Sequence, residues 1–153
     1  KADIYEGGHR VPLLVRWPSS IKAGSVSDHT TTLTDWFATI SELVDHRMTD
    51  GEGEDSFSLV PLLKGNGTWQ RAPVINHSIN GTFAIRDGRW KLIAGSGSGG
   101  RQAPRGKPFE RPYQLYDLTA DPSERNNLIR LNPHLAKALE KKLDDIRDAG
   151  RSR

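Results

Sequence analysis

Apolar residues along this chain change spacing from one stretch to the next, and each spacing predicts a different element. Val11-Pro-Leu-Leu-Val-Arg-Trp17 is almost continuously apolar and β-favouring, the pattern of a strand covered on both faces, and Pro18-Ser-Ser ends it. From Thr34, Trp36, Phe37, Ile40, Leu43 and Val44 recur at helical spacing. A helix over about Thr34–Asp45 follows, with Thr34 as its cap and Asp35 favourable in its first turn. Ser58–Gly65 reads as a short helical turn closed by Gly65. Strand-favouring runs come next at Pro73–Ser78, Thr82–Arg86, Trp90–Ala94 and Tyr113–Asp117. Arg86-Asp-Gly-Arg89 supplies a tight hairpin turn, and in the return strand Trp90, Leu92 and Ala94 alternate with Lys91 and Ile93. Asn132 and Pro133 open a final helix whose Leu135, Leu139, Leu143 and Ile146 form one apolar stripe, ended by Gly150. The expected fold class is α+β, a small antiparallel sheet packed by the C-terminal helix.

Composition and charge narrow the function. The 153 residues are enough for one real core. The 22 basic and 19 acidic residues are spread along the chain, so the net charge of +3 does not predict a nucleic-acid partner. With no Cys there is neither a disulfide framework nor a thiolate metal site. No apolar run approaches the ~20 residues of a membrane span. The chain opens at Lys1 directly into a patterned segment, which leads us to expect a portion of a longer protein.

Several candidate sites are weak. Asp50-Gly-Glu-Gly-Glu-Asp55 lacks the turn glycine and the closing glutamate of a calcium loop, since Asp55 and Pro61 stand there, so a solvated loop is expected. Gly95–Gly100 spells G-x-G-x-x-G but no helix-forming segment follows, and its composition predicts a mobile loop. His9, His29, His46, His77 and His134 show no metal-ligand spacing, and no Ser sits in a nucleophile elbow. Asn66, Asn76 and Asn80 begin glycosylation sequons. Trp17, Trp36 and Trp90 are expected in the core, and Glu6 is expected to pair with Arg10.

The local motifs say more. Lys1-Ala-Asp-Ile-Tyr-Glu-Gly-Gly-His-Arg-Val-Pro12 with Arg16-Trp-Pro18 resembles the K-x-x-x-Y/W-E-G-G-x-R-x-P…W-P signature of the sulfatase family, in the alkaline phosphatase superfamily. Ala23–Asp28, Asp35–Leu43, Ser58–Gly65, Ala84–Leu92 and Leu115–Leu128 resemble later motifs of that family in order, with Ala38 in place of a usual helix Pro.

The resemblance implies a sulfuric ester hydrolase. Residues 1–72 would be the C-terminal end of its large α/β domain, contributing the last strand and helix, and residues 73–153 a small antiparallel-sheet-plus-helix subdomain. It also implies a formylglycine nucleophile made within a C/S-x-P-x-R motif and a divalent cation, commonly calcium. No segment here matches either, so the chain alone is expected to be inactive and to bind no cation. Lys1 matches the family lysine that binds sulfate, and His77 lies where substrate-facing residues occur. Expected partners are a sulfated small molecule or glycan, and self-association of the chain. The resemblance points to a secreted or periplasmic protein. Two alternatives are a fragment of a related phosphodiesterase or phosphonate hydrolase, and a noncatalytic anionic-glycan module using Arg101, Arg105, Lys107 and Arg111.

Overall fold

A computed structural model describes residues 1–65 and 69–153, so the Asn66 sequon lies outside the described residues. The elements run α1 (Glu6–His9), α2 (Asp35–Leu43), α3 (Val60–Leu63), β1 (Val74–His77), β2 (Phe83–Asp87), β3 (Trp90–Ile93), β4 (Gln114–Asp117) and α4 (Pro133–Ala149). The chain divides into two units, one of Lys1–Pro12 with Pro73–Asp148, the other of Leu13–Ala72 with Ala149–Arg153. Residues 1–12 therefore group with the sheet, a partition that differs from a simple cut at residue 72.

In the first unit β1 to β4 form an antiparallel meander in chain order. The β2–β3 turn places one positive φ, at Gly88, while Asp87 stays in the strand opposite Trp90. Alternation along the strands gives the sheet two dry faces. On one, Ile85, Leu92 and Leu115 pack with Ala136, Leu139 and Leu143 of α4, flanked by Leu135, Ile146 and Trp90. On the other, Ala84, Ile93 and Tyr116 pack with Ile4, Leu118 and Tyr5. The stripe of α4 thus meets the sheet as its spacing predicts, and Gly150 with φ +68 follows its end. Each fully buried Leu contributes about 1.5–3 kcal/mol.

The second unit reverses the usual rule for a helix. Phe37, Ile40, Leu43 and Val44 are exposed, while Asp35, Ala38, Thr39 and Ser41 are buried. Beside the buried Leu59 and Val60, Asp35, Thr39 and Ser56 are held by short polar links. Asp35 accepts the N–H groups of Thr32 and Phe57 and stands 3.3 Å from Arg71 Nη2. Thr39 Oγ1 donates to the Asp35 carbonyl and accepts the Leu59 N–H, and Ser56 Oγ donates to the Thr34 carbonyl and accepts the Ala38 N–H. Thr34 makes no side-chain cap, because its own backbone is already helical.

Two further expectations need correction. Val11–Trp17 forms no strand, and Val11, Leu13 and Leu14 are exposed, because no neighbouring strand pairs with them among the described residues. Trp17, Trp36 and Trp90 are half-buried rather than core.

Leu143→Ala should destabilise the first unit by about 2–5 kcal/mol in urea unfolding. Ile40→Ser, on the outward face of α2, should change stability by no more than about 0.5 kcal/mol. The same substitution should weaken concentration-dependent association in sedimentation, since this row is a ready apolar contact.

Candidate functional site

The segment that carries Lys1 is fastened to the sheet by a buried ion cluster. Alternation puts Lys91 on the sheet face shared with Ile93 and Tyr116, where the N-terminal segment covers it completely. Its Nζ donates to the Ile4 carbonyl at 2.8 Å and to Glu6 Oε1 at 3.0 Å, and lies 2.8 Å from Glu124 Oε1. The last contact falls outside hydrogen-bond geometry and is therefore ionic. The other carboxylate oxygen of Glu124 accepts the Glu6 N–H at 2.6 Å, and Arg86 and His9 each stand 3.3 Å from Glu6. Glu6 thus pairs with Lys91, Arg86 and His9 rather than Arg10, which is exposed, because the helical turn α1 points the Glu6 carboxylate inward. Burial would push the Glu6 carboxyl up, but the His9 hydrogen bond and the Lys91 and Arg86 cations outweigh it and hold it at about 2.

Ahead of this cluster the chain is pinned residue by residue. Ile4 N–H donates to Ser98, and Asp3 Oδ1 accepts the N–H groups of Arg101 and Gln102. The bond from Gln102 leads in holding the Asp3 carboxyl below its usual value. Ala2, at φ +84, accepts the Ile79 N–H at 3.0 Å.

The glycine-rich segment is accordingly not a mobile loop. Gly97 to Gly100 are buried, and their composition serves close approach rather than freedom. A Cβ on Gly100 would come within 2.3 Å of Asp3 Oδ1, and one on Gly99 within 2.4 Å of Ser78 Oγ. Gln114 ties the layers together: its amide donates to the Gly95 and Gly97 carbonyls, and its oxygen accepts the Tyr5 and Tyr116 hydroxyls. Burial raises both phenols, so they remain donors at neutral pH.

This framework places Lys1, which is exposed, beside the turn after β1 through the Ala2–Ile79 bond. His77 ends β1, exposed, with Nδ1 3.0 Å from the Ser78 carbonyl and its ring 5.9 Å from Phe83. The His77 side chain shares the α4 face of the sheet with Phe83, whereas residues 2–6, which carry Lys1, cover the opposite face. Lys91 and Glu124 were missed. The available signal was a lysine between two apolar strand positions, Trp90 and Leu92, on the face shared with Ile93. Among the described residues, no group of three or more His, Asp or Glu stands together as a metal site, and no helix is long and apolar enough to cross a membrane.

A family profile described as N-sulphoglucosamine sulphohydrolase, C-terminal, matches residues 1–149. The chain belongs to this sulfatase family. Its sulfatase sequence is 30% identical to N-acetylgalactosamine-6-O-sulfatase of Bacteroides thetaiotaomicron, over 96% of this chain and 29% of that protein. It is 32% identical to human arylsulfatase A, over 84% of the chain and 28% of the relative. A solved Bacteroides thetaiotaomicron protein described as a 6S-sulf, from work on metabolism of multiple glycosaminoglycans, superposes with a TM-score of 0.82 at 28% identity. That match covers 97% of this chain and 31% of the other. This sulfatase domain therefore spans less than a third of each of these proteins.

The depressed Glu6 carboxyl makes stability depend on acid. Its folded value lies below the ordinary 4.5, so its contribution is complete above that pH and is lost as pH falls toward about 2. Urea midpoints of the wild-type chain should fall across this window. Glu6→Gln should start lower at neutral pH and show a flatter decline.

Proposed function

We propose that this domain is the C-terminal portion of an enzyme that hydrolyses sulfate esters, with Lys1 contacting the sulfate and His77 the remainder of the substrate. The observation that carries the reading is the fastening of residues 2–6 to the sheet, which holds a flexible cation at a defined edge. An ammonium there donates hydrogen bonds to sulfate oxygens and offsets charge developing on the leaving oxygen. A sulfated saccharide is the proposed substrate class, since the Bacteroides relative is an N-acetylgalactosamine-6-O-sulfatase.

The nucleophile of this proposal is a formylglycine and the cofactor a divalent cation, calcium, both supplied by the rest of such an enzyme. The residues of this chain do not fit the cation, because no set of three metal-ligating side chains comes together among those described. No step here passes through it. A secreted or periplasmic location is proposed with this reading, on family resemblance alone. A phosphodiesterase or phosphonate hydrolase is not favoured, given the family profile and the sulfatase relatives. The glycan-module reading is not favoured either: Arg111 is engaged by Glu140 and stacked on Tyr113.

In the sulfatase that carries this domain, Lys1→Ala should lower kcat by about 10²–10³, the scale for losing one stabiliser of transition-state charge. Unchanged kinetics in a folded variant would refute the assignment. The 153-residue chain by itself should release no sulfate from an aryl sulfate, whichever divalent cation is added. Turnover by a preparation free of other sulfatases would show that the reacting groups lie within it.

A further inference from the structure

We infer that Lys91 is a positioning residue for Lys1, acting through the buried cluster with Glu6 and Glu124; this rests on the role proposed for Lys1. Lys91 itself is fully buried and reaches no surface, so it touches no substrate. What it touches is the main chain and side chain of the segment that carries Lys1: the Ile4 carbonyl and the Glu6 carboxylate. Glu124 holds the same segment from the other side, through the Glu6 N–H. Arg86, on the same sheet face, is the outer partner of Glu6.

The cluster selects one placement of residues 2–6. If the segment shifted by a residue, Lys91 would face a carbonyl or an apolar side chain, the Glu6 carboxylate would lose its buried cation, and Glu124 would lose the Glu6 N–H. An uncompensated buried charge is strongly disfavoured, so the alternatives are suppressed. Apolar contacts alone would be less selective, because Ile4 and Tyr5 could exchange partners on the face of Ala84 and Ile93. The bonds at Asp3 and Ala2 then transmit that placement to residue 1. Lys1 keeps its own side-chain freedom, but its Cα is set by a charge cluster five residues away.

The first test is amide exchange on the 153-residue chain. Lys91→Met keeps the length and apolar stem of the side chain and removes the charge. It should speed exchange at Ile4, Glu6 and Gly8 by tenfold or more while Ile85 and Leu92, in β2 and β3, remain protected. Unchanged exchange at Ile4 and Glu6 would overturn the fastening role. Should Lys91→Met unfold the sheet, Glu124→Gln removes one charge while preserving shape, and its exchange at Glu6 is judged by the same criterion.

The second test is a kinetic cycle in the sulfatase that carries this domain. Lys91→Met should lower kcat/KM by tenfold or more. Combined with Lys1→Ala, it should add little to the loss caused by Lys1→Ala alone, because both remove the same placed cation. Multiplicative losses would show that Lys91 acts on stability and not through Lys1, overturning the positioning role. A silent Lys1→Ala would overturn the assignment of Lys1, and the positioning claim with it, whatever the exchange data show for the fastening.

Discussion

Burying the Lys91 ammonium is the constraint on which the first unit depends. Moving such an ion out of water costs several kcal/mol even after relaxation, and only close opposite charges with good hydrogen bonds offset it. Here two carboxylates and a backbone carbonyl surround it, and one of those carboxylates belongs to the segment laid across it. Glu124 takes φ +53, an uncommon conformation for a side chain of its size, to bring its carboxylate to the cluster. The glycines from Gly97 to Gly100 then let the Ser98 carbonyl and the Arg101 N–H approach the same segment. The sheet face opposite α4 therefore carries a covering strip of chain instead of a second helix.

The two units solve burial in different ways. The first has apolar layers on both sides of its sheet, with the Lys91 cluster on the face opposite α4 and buried Asp117, paired with Arg89, at the end of β4. The second has a buried carboxylate and two hydroxyls, Thr39 and Ser56, satisfied by neighbouring backbone, and the apolar side chains of α2 at Phe37, Ile40 and Leu43 face outward. Such a polar interior can be well ordered where its buried groups find partners, as Asp35, Thr39 and Ser56 do. It gains little from the hydrophobic effect, however, which scales with apolar area removed from water.

That difference explains what was legible in the sequence. The four strands, the hairpin at Gly88 and the stripe of α4 could be read because alternation and helical spacing are local, and their packing partners lie within the same unit. The helix at Asp35–Leu43 was equally legible, but its inward face was not. Periodicity shows that Phe37, Ile40 and Leu43 lie together without showing what covers them. Val11–Trp17 failed for a related reason: strand propensity becomes a strand only when a neighbour supplies hydrogen bonds. Gly95–Gly100 misled in another way, since glycine marks close approach as readily as freedom. Lys91 was hidden because a lysine in an alternating strand reads as solvent-facing, and its partners lie 85 and 33 positions away in sequence, at Glu6 and Glu124.

Position, more than chemistry, distinguishes Lys1 from the other surface lysines. All carry the same ammonium on the same four-carbon stem, and a stem of that length sweeps a wide volume unless its root is fixed. Fixing the root removes backbone rotations, each of which costs about 1–2 kcal/mol of entropy to restrict. In this domain the restriction is made during folding, when Glu6, Asp3 and Ala2 find their partners on the sheet and the glycine segment. A ligand meeting Lys1 would then have only the side-chain rotations left to order. The buried charge and the surface charge are in this sense parts of one arrangement, in which the desolvated lysine sets where the solvated one can reach.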